Sequence, residues 1–203
     1  MTTLRCYLFI PLLWLSASLW VLPVQAESPG AEPEASDAQQ WERGVLPIPD
    51  VIVVDQNGRK LRFYTDLVKG KTIAINFFYP TCVTMCLPNA AILRNVQRTL
   101  GKRVGRDVRF ISLSVDPDER PAALKKFAQR FDVAPGWHFV SGNKADTDRL
   151  LTALGAFSGD KVNHSAMTLI INEPAHYWTR IHGLTPPPLQ VETINQAASG
   201  ALL

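Results

Sequence analysis

Cys82 and Cys86 stand three residues apart where an apolar run, Thr72 to Tyr79, gives way to a helical pattern carrying Ala91, Leu93, Val96 and Leu100. The chain has three cysteines, and the third, Cys6, falls in an apolar N-terminal run. Thiols at the start of a helix meet unpaired backbone N–H groups and the positive end of the helix dipole, and both favour the thiolate. The thiolate is at once the nucleophile and the metal ligand. This spacing therefore points to a redox pair, a soft-metal site, or both. A structural disulfide is the poorer reading, because a bridge across three residues closes a small loop and removes little chain entropy.

Positions four apart share a helix face, so both sulfurs can lie on one helical turn and converge on one ion. Soft thiolates select Cu(I), and an added imidazole lets the same site hold Cu(II). Of the four histidines, His164 sits in Lys161-Val162-Asn163-His164-Ser165-Ala166, just before the apolar run Met167 to Ile171. By position it is either a ligand or a surface-loop histidine, and spacing does not decide between them. His138 lies in a short apolar strand and reads as a satisfied core residue, while His176 and His182 flank a hairpin strand and read as exposed. Without a third ligand the pair would act as a thiol–disulfide reductase, with Cys82 attacking and Cys86 resolving. A peroxidatic Pro-x-x-x-Thr-x-x-Cys motif fails by one residue, since Cys86 follows Thr84 by two positions.

The elements that must position these groups can be read from periodicity and turn signals. Val51 to Val54 and Lys60 to Phe63 form a hairpin about Asp55-Gln56-Asn57-Gly58, and a single helical turn covers Thr65 to Val68. Thr72 to Tyr79 and Asp107 to Val115 are nearly continuous apolar strands, as burial on both faces requires. Arg120 to Phe131 and Asp146 to Leu154 are amphipathic helices, and Trp137 to Val140 is a short strand between them. Met167 to Ile171 and Tyr177 to Ile181 make a late hairpin. Pro186-Pro187-Pro188 punctuates, and Val191 to Ala198 reads as a last helix. The result is an α/β layer with a mixed central sheet flanked by helices. A cysteine pair opening the helix after a central strand is the thioredoxin arrangement. In such a sheet the loop before the late hairpin's first strand lies beside the dithiol, which would aim His164 at the thiols.

Arg5, the apolar run Tyr7 to Val24, and the small residue Ala26 before an acidic, proline-containing stretch have the layout of a secretory signal peptide. Residues 1–26 are read as that signal, with cleavage after Ala26. The alternative, an uncleaved anchor, is disfavoured by Pro11, Pro23 and a length near the lower limit for spanning. Residues 27–44 are read as a disordered tether and 45–203 as one domain, in a periplasmic protein that stays membrane-attached if the signal is kept. Losing residues 1–26 removes one arginine from the 21 cationic residues and leaves 20 against 18 acids, so the balance is near neutral. No basic block of the kind that binds nucleic acid is present, and the cations from Arg94 to Arg109 read as a solvated face. Nothing suggests a large apolar interface, so a monomer is expected.

Three segments together resemble the Sco/SenC family of copper-binding, thioredoxin-like proteins that help assemble cytochrome c oxidase. They are Cys82 to Pro88, the strand end Ser114-Val115-Asp116-Pro117 with Pro121 and a helix after it, and His164-Ser165-Ala166 before a strand. The resemblance implies that Cys82, Cys86 and His164 ligate copper, as Cu(I) or Cu(II), and that Asp116 tunes the site without ligating. Asp116 reads equally as the cap of the helix that follows. It further implies a metallochaperone, not an enzyme proper, that hands copper to an oxidase subunit or similar copper enzyme. Other periplasmic copper or thiol-redox proteins would be partners as well. The alternative role is a reductase that keeps a partner's copper-binding cysteines reduced. This chain departs from the family between the thiols: Val83-Thr84-Met85 stands where Pro and Asp commonly follow the first cysteine, and Leu87 separates Cys86 from Pro88. Met85 offers a thioether but reads as a packing residue.

If the signal is cleaved as read, the intact mass of the exported protein equals that of the chain from Glu27. A membrane-bound species that keeps residues 1–26 would instead make the apolar run an anchor.

Overall fold

The structure, a computed structural model, describes residues 40–82, 84–157 and 166–200. Every residue of the strand Thr72–Phe78 is buried, as the continuous apolar run demands of a strand covered on both faces. Counted along the chain, the strands are β1 (Glu42–Arg43), β2 (Ile52–Asp55), β3 (Lys60–Arg62), β4 (Thr72–Phe78), β5 (Val108–Ser114), β6 (Trp137–Ser141), β7 (Met167–Asn172) and β8 (Tyr177–His182). The helices are α1 (Cys86–Leu100), α2 (Pro121–Gln129), α3 (Lys144–Ala153) and α4 (Pro187–Ser199). Among the described residues the strands form one sheet in the order β1-β8-β7-β4-β5-β6-β2-β3. β4, β5 and β6 are parallel neighbours, and β7 joins β4 antiparallel. The expected mixed sheet, early hairpin (β2–β3) and late hairpin (β7–β8) are all present.

Side chains alternate across β4. Ile73, Ile75 and Phe77 enter one core with the turn Phe63–Val68 and with Leu150, Leu151 and Leu154, from α3 and its C-terminal end. Ala74 and Phe78 enter the other, against α1, α2 and α4. Phe78, Phe127, Phe139 and Trp137 pack there as an aromatic cluster, with Phe78 and Phe127 centroids 4.9 Å apart. Asn76, the polar break in β4, is satisfied within that core: the Ser112 hydroxyl donates to its Oδ1 at 2.6 Å and the Trp137 indole donates to Ser112 Oγ at 2.8 Å.

Two readings move. Order begins earlier than Leu46, because Glu42–Arg43 pair with Trp178 and Tyr177, and Thr179 Oγ1 donates to Gln40 O at 2.8 Å. A polar two-residue strand leaves no periodic signal, and its partner β8 supplies the edge. The last helix begins at Pro187, four residues before Val191, with prolines at its first positions. Proline needs no intrahelical N–H partner there, so the run that reads as a stop is a helix start.

Backbone meets backbone at the turns that lead into β5 and β6. Gly136 has φ +93, and a Cβ placed on it would lie 2.4 Å from Gly105 N. Gly136→Ala therefore meets both strain and a clash that no side chain can relieve. It should cost about 3 kcal/mol in urea unfolding, and an unchanged midpoint would contradict this packing.

Candidate metal and thiol site

The parallel pairing of β4 with β5 and the antiparallel pairing of β4 with β7 gather three chain segments at one end of the sheet. β4 ends there at Phe78 beside Ser114 of β5, and Thr168, the second residue of β7, lies opposite Asn76. The chain then turns, with Cys82 N–H donating to Tyr79 O at 3.0 Å, and α1 opens at Cys86. Cys82 is thus not on the helix, as the spacing suggested. It lies in the turn before the helix, and its sulfur reaches back to the helix start.

That reach has a physical cause. The residue before α1, Met85, offers no side-chain cap, so the first backbone N–H groups need an outside acceptor. Cys82 Sγ takes this part: the Cys86 N–H donates to it at 3.3 Å, the Met85 N–H also bonds it, and the Thr84 hydroxyl lies 4.0 Å away. The two cysteines are not joined by a disulfide and are 4 % and 3 % exposed. Burial pushes the Cys82 thiol up, but the Cys86 side-chain and backbone bonds, with those from Met85 and Thr84, outweigh it and hold the thiol below its ordinary value. Cys86 moves the other way. Burial and then the Cys82 sulfur beside it raise its thiol to about 12. One thiol gives up its proton more readily than an ordinary cysteine, and the other holds it.

The other singled-out residues fall as follows. Asp116 closes β5, half-buried; its Oδ1 accepts from Asp118 N at 3.2 Å, and its backbone meets Ser114 Oγ. It shapes a turn and does not cap α2, whose N-cap position is Arg120. His164 lies outside the described residues; the structure describes the chain again from Ala166, whose carbonyl accepts from Gly183 N at 2.8 Å. His176 and His182 are exposed, as expected. His138 is half-buried, with Nδ1 buried and unpartnered, so it is a core residue but not a satisfied one. Burial, with Arg109 and Arg59 nearby, lowers its pKa to about 4 and keeps it neutral. Met85 is 39 % exposed, which overturns its reading as a packing residue. Of the cations from Arg94 to Arg109, several are engaged: Arg94 pairs with Asp132, and Arg103 and Arg106 with Asp107. Among the described residues no three His, Cys, Asp or Glu side chains are arranged to hold a metal ion. No helix among them is long and apolar enough to cross a membrane. The part played by the Thr84 hydroxyl and the Met85 N–H was not read from the sequence; a hydroxyl two residues after Cys82, in a turn, was the available signal.

The two thiols should titrate apart. A lowered pKa leaves Cys82 more thiolate at any given pH, so its alkylation begins at lower pH than for an ordinary thiol, while that of Cys86 is displaced upward. Peptide mass spectrometry after iodoacetamide pulses across a pH series reads both sites, and parallel labelling of the two would contradict the arrangement.

A model of the SCO1/SenC family matches residues 51–199. An SCO1 protein homolog of Bacillus subtilis (strain 168) is 34 % identical over 90 residues, covering 43 % of this chain and 45 % of that protein, so the match spans under half of the relative. Among solved structures, BsSco, described as a member of the Sco family of cytochrome c oxidase assembly proteins with a disulfide switch, superposes with a TM-score of 0.65 at 24 % identity, over 79 % of this chain and 97 % of its own. Bradyrhizobium japonicum ScoI with copper bound superposes with a TM-score of 0.60 at 24 % identity, over 72 % of this chain and 96 % of its own. The family match runs from the early hairpin through the last helix and takes in both cysteines: this chain belongs to the SCO1/SenC family.

Proposed function

We propose that this protein is a copper metallochaperone. It holds copper through Cys82, Cys86 and His164 and passes it by ligand exchange to a copper-accepting subunit of a respiratory oxidase or a similar copper enzyme. The observation that carries the reading is the pair of adjoining, unbridged cysteines at the start of α1, at the sheet end where β7 begins. His164 precedes β7 by three residues, near enough along the chain to supply the imidazole. Two thiolates and an imidazole form a soft donor set that suits Cu(I) and still accommodates Cu(II). Family membership and a copper-bound relative support the choice of metal. Asp116, in the turn after β5, would tune the site through its charge without binding the metal. The layout of residues 1–26 supports export to the periplasm, with residues 27–39 as a tether to the folded domain.

The inequality of the thiols favours one further activity at the same site, and a relative is described as carrying a disulfide switch. In thiol–disulfide exchange the Cys82 thiolate attacks a partner disulfide and forms a mixed disulfide, and one partner thiolate leaves. Cys86 then gives up its proton and attacks Cys82 Sγ, releasing the second partner thiolate. The partner gains two electrons, with one proton from Cys86 and a second from solvent, and this chain ends with a Cys82–Cys86 bond that cannot hold copper.

Copper titration of the reduced protein under anaerobic conditions, beside His164→Ala, tests the metal reading. The wild type should bind one copper, and its Cu(II) form should show a thiolate-to-copper charge-transfer band. The variant should lose at least about tenfold in Cu(II) affinity, with that band altered, while disulfide exchange persists. Weak binding unchanged by the substitution, with a readily exchanged Cys82–Cys86 disulfide, would leave the reductase role alone.

A further inference from the structure

Both cysteines of the proposed copper site are nearly closed to solvent, at 4 % and 3 % exposure, so an incoming ion needs a donor at the rim. Among the described residues four carry sulfur: Cys82, Cys86, Met167 and Met85. Met167 is 3 % exposed at the start of β7, and only Met85 faces water, at 39 %. It is joined to both thiols, as the residue directly before Cys86 and as the one whose N–H bonds Cys82 Sγ. Met85 thus presents a sulfur-bearing side chain to water between two buried cysteines.

Resting on the copper reading above, we infer that Met85 is the entry donor of the site: its thioether takes Cu(I) from the delivering molecule and passes it inward to Cys82 and Cys86. The chemistry suits the order of events. A thioether is soft enough for Cu(I) and neutral, so capture needs no proton to leave. Thiols must be deprotonated to bind metal. In the first step a copper–donor bond breaks and a copper–Sδ bond forms. In the second, the thiolates of Cys82 and Cys86 replace Sδ, and any proton still on them goes to solvent. Copper stays Cu(I) throughout, and no electron moves. As a single neutral donor at the surface, Met85 holds the ion weakly, which a transit ligand requires.

Met85→Leu keeps the size and apolar character of the side chain and removes the sulfur. The reduced protein, wild type and variant, is mixed anaerobically with the coloured Cu(I)–bicinchoninate complex, and uptake is followed by loss of colour. The variant should load copper slower by about an order of magnitude, which is about 1.4 kcal/mol on the barrier, with final Cu(I) affinity and thermal midpoint unchanged. In a Cys82→Ser/Cys86→Ser variant labelled at the methionine methyl carbon, where no thiolate can take the ion away, the Met85 signal should shift on addition of Cu(I). Equal uptake rates with an unmoved methyl signal would overturn the inference and leave the copper site standing. An affinity loss as large as the rate loss would also overturn it, making Met85 a resident ligand. Failure of the wild type to take up copper at all would overturn the inference together with the copper reading.

Discussion

The opening of α1 is short of hydrogen-bond acceptors, and a sulfur atom answers that need. Backbone N–H groups at a helix start have no partner within the helix. Here the residue that should cap them is a methionine with nothing to offer, so the turn after β4 brings Cys82 Sγ back against the Met85 and Cys86 N–H groups. This one arrangement places Cys82 beside Cys86, stabilises a negative charge on its sulfur, and buries the pair at the end of the sheet. The site depends on β4 in turn, since only a strand buried on both faces and fixed between β5 and β7 can deliver the turn to that place.

Unequal thiols would suit both proposed activities. For exchange, an attacking thiolate and a protonated neighbour define direction, because the neighbour stays silent until a mixed disulfide forms next to it. For the proposed metal binding, an arriving cation would supply the charge that lets Cys86 lose its proton, so the second bond would form only with copper present. A site with one thiol that loses its proton readily and another that holds it would be poorly suited to static storage and well suited to transfer.

Much of this was legible in the sequence. The apolar run before Cys82 and the helical pattern after Cys86 were enough to place the pair at a strand–helix junction, and the turn residues marked both hairpins. Other features depended on contacts between distant residues. Four-residue spacing suggested two thiols on one helical turn, but spacing carries no information about where the helix starts, and α1 starts at the second cysteine. Glu42–Arg43 became a strand only because β8 offers an edge. Met85 reads as core by residue type, and only its place at the mouth of a turn makes it exposed. The half-buried His138 looked satisfied because apolar neighbours do not reveal whether a ring nitrogen has a partner.

X-ray absorption at the copper K edge, on the reduced protein loaded with one Cu(I), tests the central claim most directly. The account predicts two sulfur ligands at thiolate distance and one imidazole nitrogen, with the nitrogen lost in His164→Ala. A first coordination sphere of nitrogen and oxygen alone, or one unchanged when Cys82 and Cys86 are replaced by serine, would contradict it.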